Sequence, residues 1–348
     1  LWKLLFENAA HDSIGSCISD TANEDVYMRY KQARDIAVNL VELHCRLIST
    51  HIQQTGNHMT LTLMNTLPQQ RSDIVIVKTY VPGNHFAIID EFGNDVYYTM
   101  IEKRDLTEYV LSQTIRLNPS YEFEVPQVVY EATIAIEVKD IPALGYVQYR
   151  VDTSHSSDMT KEQKDCLGNE YYHIEDDGSL TIYDKKNQLT YENQAILVEN
   201  GDDGDSFNYS PPRHDLKVYS TQSKSTYEIT GSSLYQEATI HFDMIVPAHL
   251  EERANQQVST HMPVNMKVRL KKGSPIIDFT VHVDNHGLSH RLCVLFDAHI
   301  ATQFNYADQQ FGSIRRPNIY QKEMELYLEG LGQQKEVQTK GVIELANW

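Results

Sequence analysis

Cysteine is scarce. Cys17, Cys45, Cys166 and Cys293 are scattered and form no Cys-x-x-Cys pair. That excludes a disulfide framework and a cysteine-built zinc site, and points to free buried thiols in a reducing cytoplasm. No apolar run approaches the roughly 20 residues that cross a bilayer, and the N-terminus carries no signal-peptide pattern. Positive charge is in short supply: 30 Lys and Arg stand against 48 Asp and Glu, a formal net charge of −18. Nucleic acid and anionic membrane surfaces both require Lys/Arg-rich faces, so neither is an expected partner. There is no Walker loop, dinucleotide fingerprint or nucleophile elbow, and no internal repeat. An initiating Met is absent too. The chain opens Leu1-Trp2-Lys3, as if something upstream had been removed, which would put any signal there out of view.

What is present is ordinary for a globular protein: 41% hydrophobic and 22% charged residues. A chain of 348 residues is long enough for two or three domains, or for one large β domain with an appendage. Residues 1 to about 56 read as helical. Ser19-Asp20-Thr21 is an N-cap region, with Glu24 and Asp25 in the first turn. Val26, Tyr30, Ala33, Ala37, Leu40, His44 and Leu47 then recur at helical spacing, one stripe on a helix of roughly 30 residues. Such a stripe is the core of a helical bundle, with His44 a core or rim histidine.

Gly56 ends that helix, and the period changes to two. Strands are predicted over 60–64, 73–80, 129–136, 146–151, 179–183, 235–246, 265–270, 276–283 and 292–300. Turn signals such as Pro82-Gly83-Asn84, Asp176-Asp177-Gly178, Lys272-Gly273 and Asn285-His286-Gly287 separate them. The expected fold is mainly β with an N-terminal α-helical segment, and the β part is antiparallel and of sandwich type. A soft boundary lies at about 152–165, where Asp152 to Asp158 is polar and turn-rich.

Several groups of residues have chemical potential. His11-Asp12 offers an imidazole and a carboxylate that can bind metal or sugar hydroxyls. Zinc needs about three or four protein ligands, and the spacing shows no partner cluster, so helix-end capping by Asp12 is the competing role. Glu199-Asn200-Gly201-Asp202-Asp203-Gly204-Asp205 is dense in Asp and Gly without the spacing of a calcium loop, and reads as a solvated hairpin. Ser206-Phe207-Asn208-Tyr209-Ser210-Pro211-Pro212 interleaves aromatic and polar residues. Surfaces of that kind stack on sugars and hydrogen-bond to them. His241-Phe242-Asp243 and His282-Val283-Asp284 each have a His-x-Asp form within an alternating strand, and can equally face solvent. Asp308-Gln309-Gln310-Phe311-Gly312 reads as a structural turn, followed by Arg315-Arg316.

Taken in order, several segments resemble glycoside hydrolase family 38, the α-mannosidases, and in particular its bacterial members. Trp2-Lys3-Leu4-Leu5-Phe6-Glu7-Asn8 with His11-Asp12-Ser13-Ile14 is similar to that family's middle helical segment. Asn65-Thr66-Leu67-Pro68, Ile141-Pro142-Ala143-Leu144-Gly145-Tyr146, Asn169-Glu170-Tyr171-Tyr172 and Asp177 to Lys186 are similar to its C-terminal β region. So are Gly204-Asp205 through Pro212 and Phe311-Gly312 with Arg315-Arg316-Pro317. One departure is that Gly15 follows Ile14 directly, where many bacterial members place a residue before the Gly.

The resemblance implies a layout: 1–57 as part of a three-helix bundle, 58–155 as a small β domain, and 156–348 as a large mutarotase-like β-sandwich cut short at its end. It implies a retaining exo-α-mannosidase whose catalytic (β/α) domain, and so whose nucleophile, lies outside this chain. One carboxylate attacks the anomeric carbon; a second protonates the leaving oxygen and then activates water, the two standing about 5–5.5 Å apart. No catalytic carboxylate is then expected among these residues, and the chain alone should be inactive. A single zinc is implied, with His11 its one ligand here and Asp12 on a mannose hydroxyl. Phe207 and Tyr209 are candidate sugar contacts. The substrate would be an α-mannoside oligosaccharide or a small mannoside such as mannosylglycerate, and self-association is an option. The competing class is a non-catalytic carbohydrate-binding or assembly module.

Overall fold

The computed structural model describes residues 1–53, 59–112, 128–176, 179–204 and 209–318. Three helices open the chain: α1 (Trp2–Asn8), α2 (His11–Ile14) and α3 (Asp20–His51). Ser19 caps α3, its Oγ accepting the Ala22 N–H at 3.4 Å, which satisfies one of the donors left free at a helix start. Asn8, fully buried, ties α1 to α3. Its Nδ2 donates to the Val26 carbonyl at 2.9 Å, and its Oδ1 accepts from Arg29 Nε at 2.6 Å.

The predicted stripe on α3 is covered only in its first half. Val26 and Ala33 are buried, whereas Leu40 and Leu47 are 45% and 48% exposed. His44 is exposed as well, and its Nδ1 pairs with the Leu40 carbonyl at 2.7 Å. The expected helix end at Gly56 lies outside the described residues.

The rest is mainly β, and every ladder between its strands among the described residues is antiparallel. A first group holds a three-stranded sheet, Arg71–Val81 beside Tyr130–Ile141 beside Tyr98–Asp105. It also holds a four-stranded sheet ordered Met59–Met64, Tyr146–Asp152, Ala87–Ile89, Asp95–Val96. Alternate residues of the two sheets meet in one apolar cluster that includes Phe86, Ile88, Tyr98, Ile134, Ile136 and Val138. Fully burying such side chains contributes about 1.5–3 kcal/mol each.

A second group centres on a five-stranded sheet ordered Ile277–Val283, Thr260–Lys271, Tyr235–Val246, Thr226–Gly231, Glu162–Gln163. Its central strands alternate strictly. Met262, Val264, Met266, Val268 and Leu270 are buried, while Pro263, Asn265, Lys267 and Arg269 face the other way. The buried row packs against Leu167, Ile174, Leu180, Leu197 and their neighbours from a four-stranded and a three-stranded sheet. The three-stranded sheet, Val218–Tyr219, Ile196–Gly201 and His290–Leu295, carries the loop that matters below. A hairpin, Phe304–Gln309 with Gly312–Pro317, follows.

The polar stretch 152–158 is pinned rather than loose. Ser157 is buried, its Oγ accepting the Ile88 N–H and donating to the Val96 carbonyl, both at 3.0 Å. Asp158 Oδ1 accepts from Met100 N at 3.0 Å. Short polar side chains there take the place of ladder hydrogen bonds. The two groups also touch: Ile74 and Ala135 pack with Leu234 and Tyr235, and Lys272 bridges to Glu137 at 2.9 Å.

Candidate functional site

His11 and Asp12 open α2, displayed to solvent with side chains 94% and 61% exposed and 3.3 Å apart. The capping role considered for Asp12 is not what the structure shows. Ala10 is the N-cap, and no side chain caps the helix. The backbone holds the turn instead: Gly15 N–H reaches the His11 carbonyl and Cys17 N–H the Asp12 carbonyl. The two side chains cap nothing and face solvent. Among the described residues no group of three or more His, Cys, Asp or Glu is placed to hold a metal. The donor chemistry of His11 fits one ligand of a zinc site and no more.

The second piece lies at the end of strand Ile196–Gly201. Sequence reading grouped Glu199 and Asn200 with a solvated acidic turn. The structure corrects this, because both lie on the strand and are buried. Glu199 is neutralised there by Arg253, itself fully buried on the short helix Leu250–Ala254. Arg253 Nη1 also reaches Asp215 Oδ1 at 3.3 Å and donates to the Leu216 carbonyl. His290 Nδ1 stands 3.2 Å from Glu199 Oε1, not aligned as a hydrogen bond. The three charged groups, Glu199, Asp215 and Arg253, are costly to desolvate unless mutually paired.

Above this cluster sits Tyr209. Its hydroxyl accepts from Asn200 Nδ2 at 2.7 Å, and the Arg291 guanidinium carbon lies 3.8 Å from its ring centre. A guanidinium over a tyrosine face at this distance is a cation–π contact. Ser210 next to it is buried; its N–H donates to Asp202 Oδ1 at 3.0 Å and its carbonyl accepts from Asp203 N at 2.7 Å. Phe207, the other aromatic singled out from sequence, lies outside the described residues. His11 thus pairs with Asp12, and Tyr209 with Asn200 and Arg291. The structure presents the selected residues as two groups, one on the helical segment and one on the larger β group.

The remaining candidates resolve into surface ion pairs and a turn. Asp243 is held by His261 at 2.5 Å and Asp284 by His286 at 3.1 Å, rather than each by the histidine two positions before it. Gln310-Phe311 is the turn between the last two described strands, and Arg315 lies over the Phe304 ring at 3.6 Å. All four cysteines are free and half-buried. No helix among the described residues is long and apolar enough to cross a membrane.

What sequence reading missed is the Glu199–Asp215–Arg253 cluster. Asp215 and Glu199 lie 38 and 54 positions from Arg253, and nothing in Leu250-Glu251-Glu252-Arg253-Ala254 distinguishes a buried arginine from a solvated one. Gly201 is the nearest signal. A Cβ there would stand 2.5 Å from Arg253 Cδ and 2.6 Å from Pro212 Cγ, so only glycine fits.

The structure of a family 38 glycosyl hydrolase protein from Enterococcus faecalis matches with a TM-score of 0.74 at 20% identity, over 91% of this chain and 42% of that one. An α-mannosidase from E. faecalis V583 matches with the same TM-score and identity, over 91% of this chain and 40% of that one. At such identity the likeness shows the fold. By sequence, the "Putative mannosylglycerate hydrolase" of Halalkalibacterium halodurans is 22% identical over 91% of this chain and 40% of its own length. The model for the glycosyl hydrolases family 38 C-terminal domain matches residues 167–341. The chain belongs to glycosyl hydrolase family 38 and spans about two fifths of the length of these relatives.

Proposed function

We propose that this chain is the helical and β part of a retaining, zinc-assisted exo-α-mannosidase. The observation that carries the reading is the outward-facing His11-Asp12 pair, held by backbone alone at the helical end of a family 38 chain. In this reading His11 is one zinc ligand, and the ion would help bind sugar hydroxyls. Asp12, beside it, accepts a hydrogen bond from a mannose hydroxyl. The nucleophile and the acid/base carboxylate come from a part of the protein beyond this chain. Tyr209, oriented by Asn200 and Arg291, supplies an aromatic face and a hydroxyl edge to the sugar.

We further propose the finer architecture: 1–57 as part of a three-helix bundle, 58–155 as a small β domain, and 156–348 as a mutarotase-like sandwich. A cytoplasmic setting suits the free thiols. A mannosylated small acid in place of an oligosaccharide is a second reading of the substrate, favoured by the sequence relative from H. halodurans.

Two experiments test this. The full-length protein should hydrolyse a chromogenic α-mannoside and this chain alone should not; turnover by the chain alone would refute the assignment of the carboxylates. In the full-length protein His11→Ala should lower zinc content and activity together. Wild-type zinc content in that variant would remove His11 from the ligand set.

A further inference from the structure

We propose that Arg253 is a positioning residue, a buried guanidinium that sets the placement of Tyr209 by pinning both ends of the loop that carries it. The proposal rests on the reading of Tyr209 as a sugar contact.

Arg253 joins three segments that are remote in sequence. It lies on the helix Leu250–Ala254, pairs with Glu199 on the strand that enters the loop, and reaches Asp215 and the Leu216 carbonyl where the loop returns. Arg253 and Glu199 side chains are both fully buried. Asp215 Oδ1 closes the base of the loop directly, accepting the Gly201 N–H at 3.0 Å and the Leu216 N–H at 2.8 Å. One carboxylate oxygen therefore stitches the exit of the loop to its entrance, and the guanidinium fixes that carboxylate. Gln256 Nε2 adds a bond to the Asp215 carbonyl at 3.0 Å.

The packing leaves no slack. Gly201 has no Cβ because the stem of Arg253 and the ring of Pro212 occupy that space. Between the pinned ends, Asp202 fastens Ser210 beside Tyr209, and Asn200 and Arg291 hold the tyrosine itself. Asn200 follows Glu199 and Arg291 follows His290, so the residues that grip Tyr209 are backbone neighbours of the buried charged cluster. A displacement of Arg253 is transmitted along two adjacent strands.

Burying an ion cluster is a poor route to stability, since apolar residues of equal volume often do as well. What a guanidinium supplies is direction. Its planar fork fixes two carboxylates on separate segments, which a lysine ammonium cannot reproduce. A misplacement of about 1 Å in a binding residue can cost as much as a hundredfold in rate.

The test uses the full-length protein, with Arg253→Lys and, should that variant fold poorly, Asp215→Asn, whose side chain keeps its shape and is partly exposed. Amide exchange is followed at Gly201, Ser210 and Leu216. Steady-state kinetics on an aryl α-mannoside are measured well below the melting temperature, together with zinc content. The expected result is faster exchange at those amides, with kcat/KM reduced about tenfold and zinc content unchanged. A purely structural arginine would lower the melting temperature and leave kcat/KM of the folded enzyme alone. Unchanged exchange in both variants would overturn the clamp. Tyr209→Ala separates the two layers: if it leaves kcat/KM at the wild-type value, the sugar-contact reading fails and the proposal with it. If Tyr209→Ala is impaired while Arg253→Lys and Asp215→Asn are not, the reading stands and the positioning role is refuted.

Discussion

Glu237 shows how a single carboxylate is held inside a sheet face and what pH does to it. It lies on strand Tyr235–Val246 opposite Arg269. Arg269 Nε donates to its Oε2 at 2.7 Å, the Tyr235 hydroxyl donates to the same oxygen at 2.9 Å, and Lys267 reaches Oε1 at 3.2 Å. Burial pushes the Glu237 carboxyl up, but the hydrogen bonds from Arg269 and Tyr235 and the charge of Lys267 outweigh it, leaving it below its ordinary value of 4.5. Burial also pushes the Tyr235 hydroxyl up. A carboxyl whose folded value is depressed adds stability above its unfolded value and loses it as pH falls through the folded one. Glu237→Gln should therefore destabilise the chain by about 1–3 kcal/mol at pH 7. The difference from wild type should shrink as pH falls below about 4.5. Denaturant melts at several pH values check this; a pH-independent difference would mean that packing, not charge, is lost. Asp243 and Asp284, by contrast, form only exposed pairs, with His261 and His286, and exposed pairs contribute little.

Among the elements, the N-terminal helices are held by few contacts, and Asn8 is central to them. It is the one buried side chain of α1 and supplies a donor to Val26 and an acceptor to Arg29 on α3. Asn8→Ala should cost the α1–α3 junction about 1–3 kcal/mol, because the Val26 carbonyl loses its side-chain donor. Amide exchange over 1–14, the segment that carries His11 and Asp12, should speed while exchange in strand Thr260–Lys271 stays as it is. Equal acceleration in both regions would show that the helices and sheets unfold as one unit. These elements were legible in the sequence to different degrees. α3 is marked in the sequence by a Ser cap and a long apolar stripe, of which Val26 and Ala33 are buried, and strand Tyr235–Val246 by an alternation that buries one face along its length. Strands such as Leu167–Gly168, Tyr172–Asp176 and Ile196–Gly201 escaped. They are too short to show a period, or, like Ile196–Gly201, are buried from the second residue onward and include a glutamate and an asparagine. The ion cluster that explains Glu199 exists only once the fold brings Arg253 beneath it.

At the scale of the molecule, the two β groups close on their own cores while the helical segment does not. Motif order carried the family because ordered matches survive where single motifs are weak, and His11-Asp12 stood out in the sequence even though its surroundings did not. The exposed half of α3 has a physical consequence. Ile36, Leu40, Leu43 and Leu47 recur at intervals of four, three and four residues and are 39%, 45%, 51% and 48% exposed, with Val41 and Ile48 at 63% and 47% beside them. That spacing is the seam of a helix that packs on another helix. A long helix with an uncovered apolar seam draws little stability from propensity alone, and a continuous apolar patch of this kind promotes association. The chain expressed by itself should therefore self-associate through α3. Sedimentation velocity should show species larger than a monomer of 40.0 kDa, with the proportion rising with concentration. The double variant Leu40→Glu, Leu47→Glu should shift the chain to monomer, while the melting transition of the β groups, which do not depend on this seam, stays within about 2–4 °C of wild type. If the variant associates as strongly as the parent, the seam is not the contact, and the exposed strand faces of the last hairpin, where Tyr306 is 72% exposed, become the surface to change next.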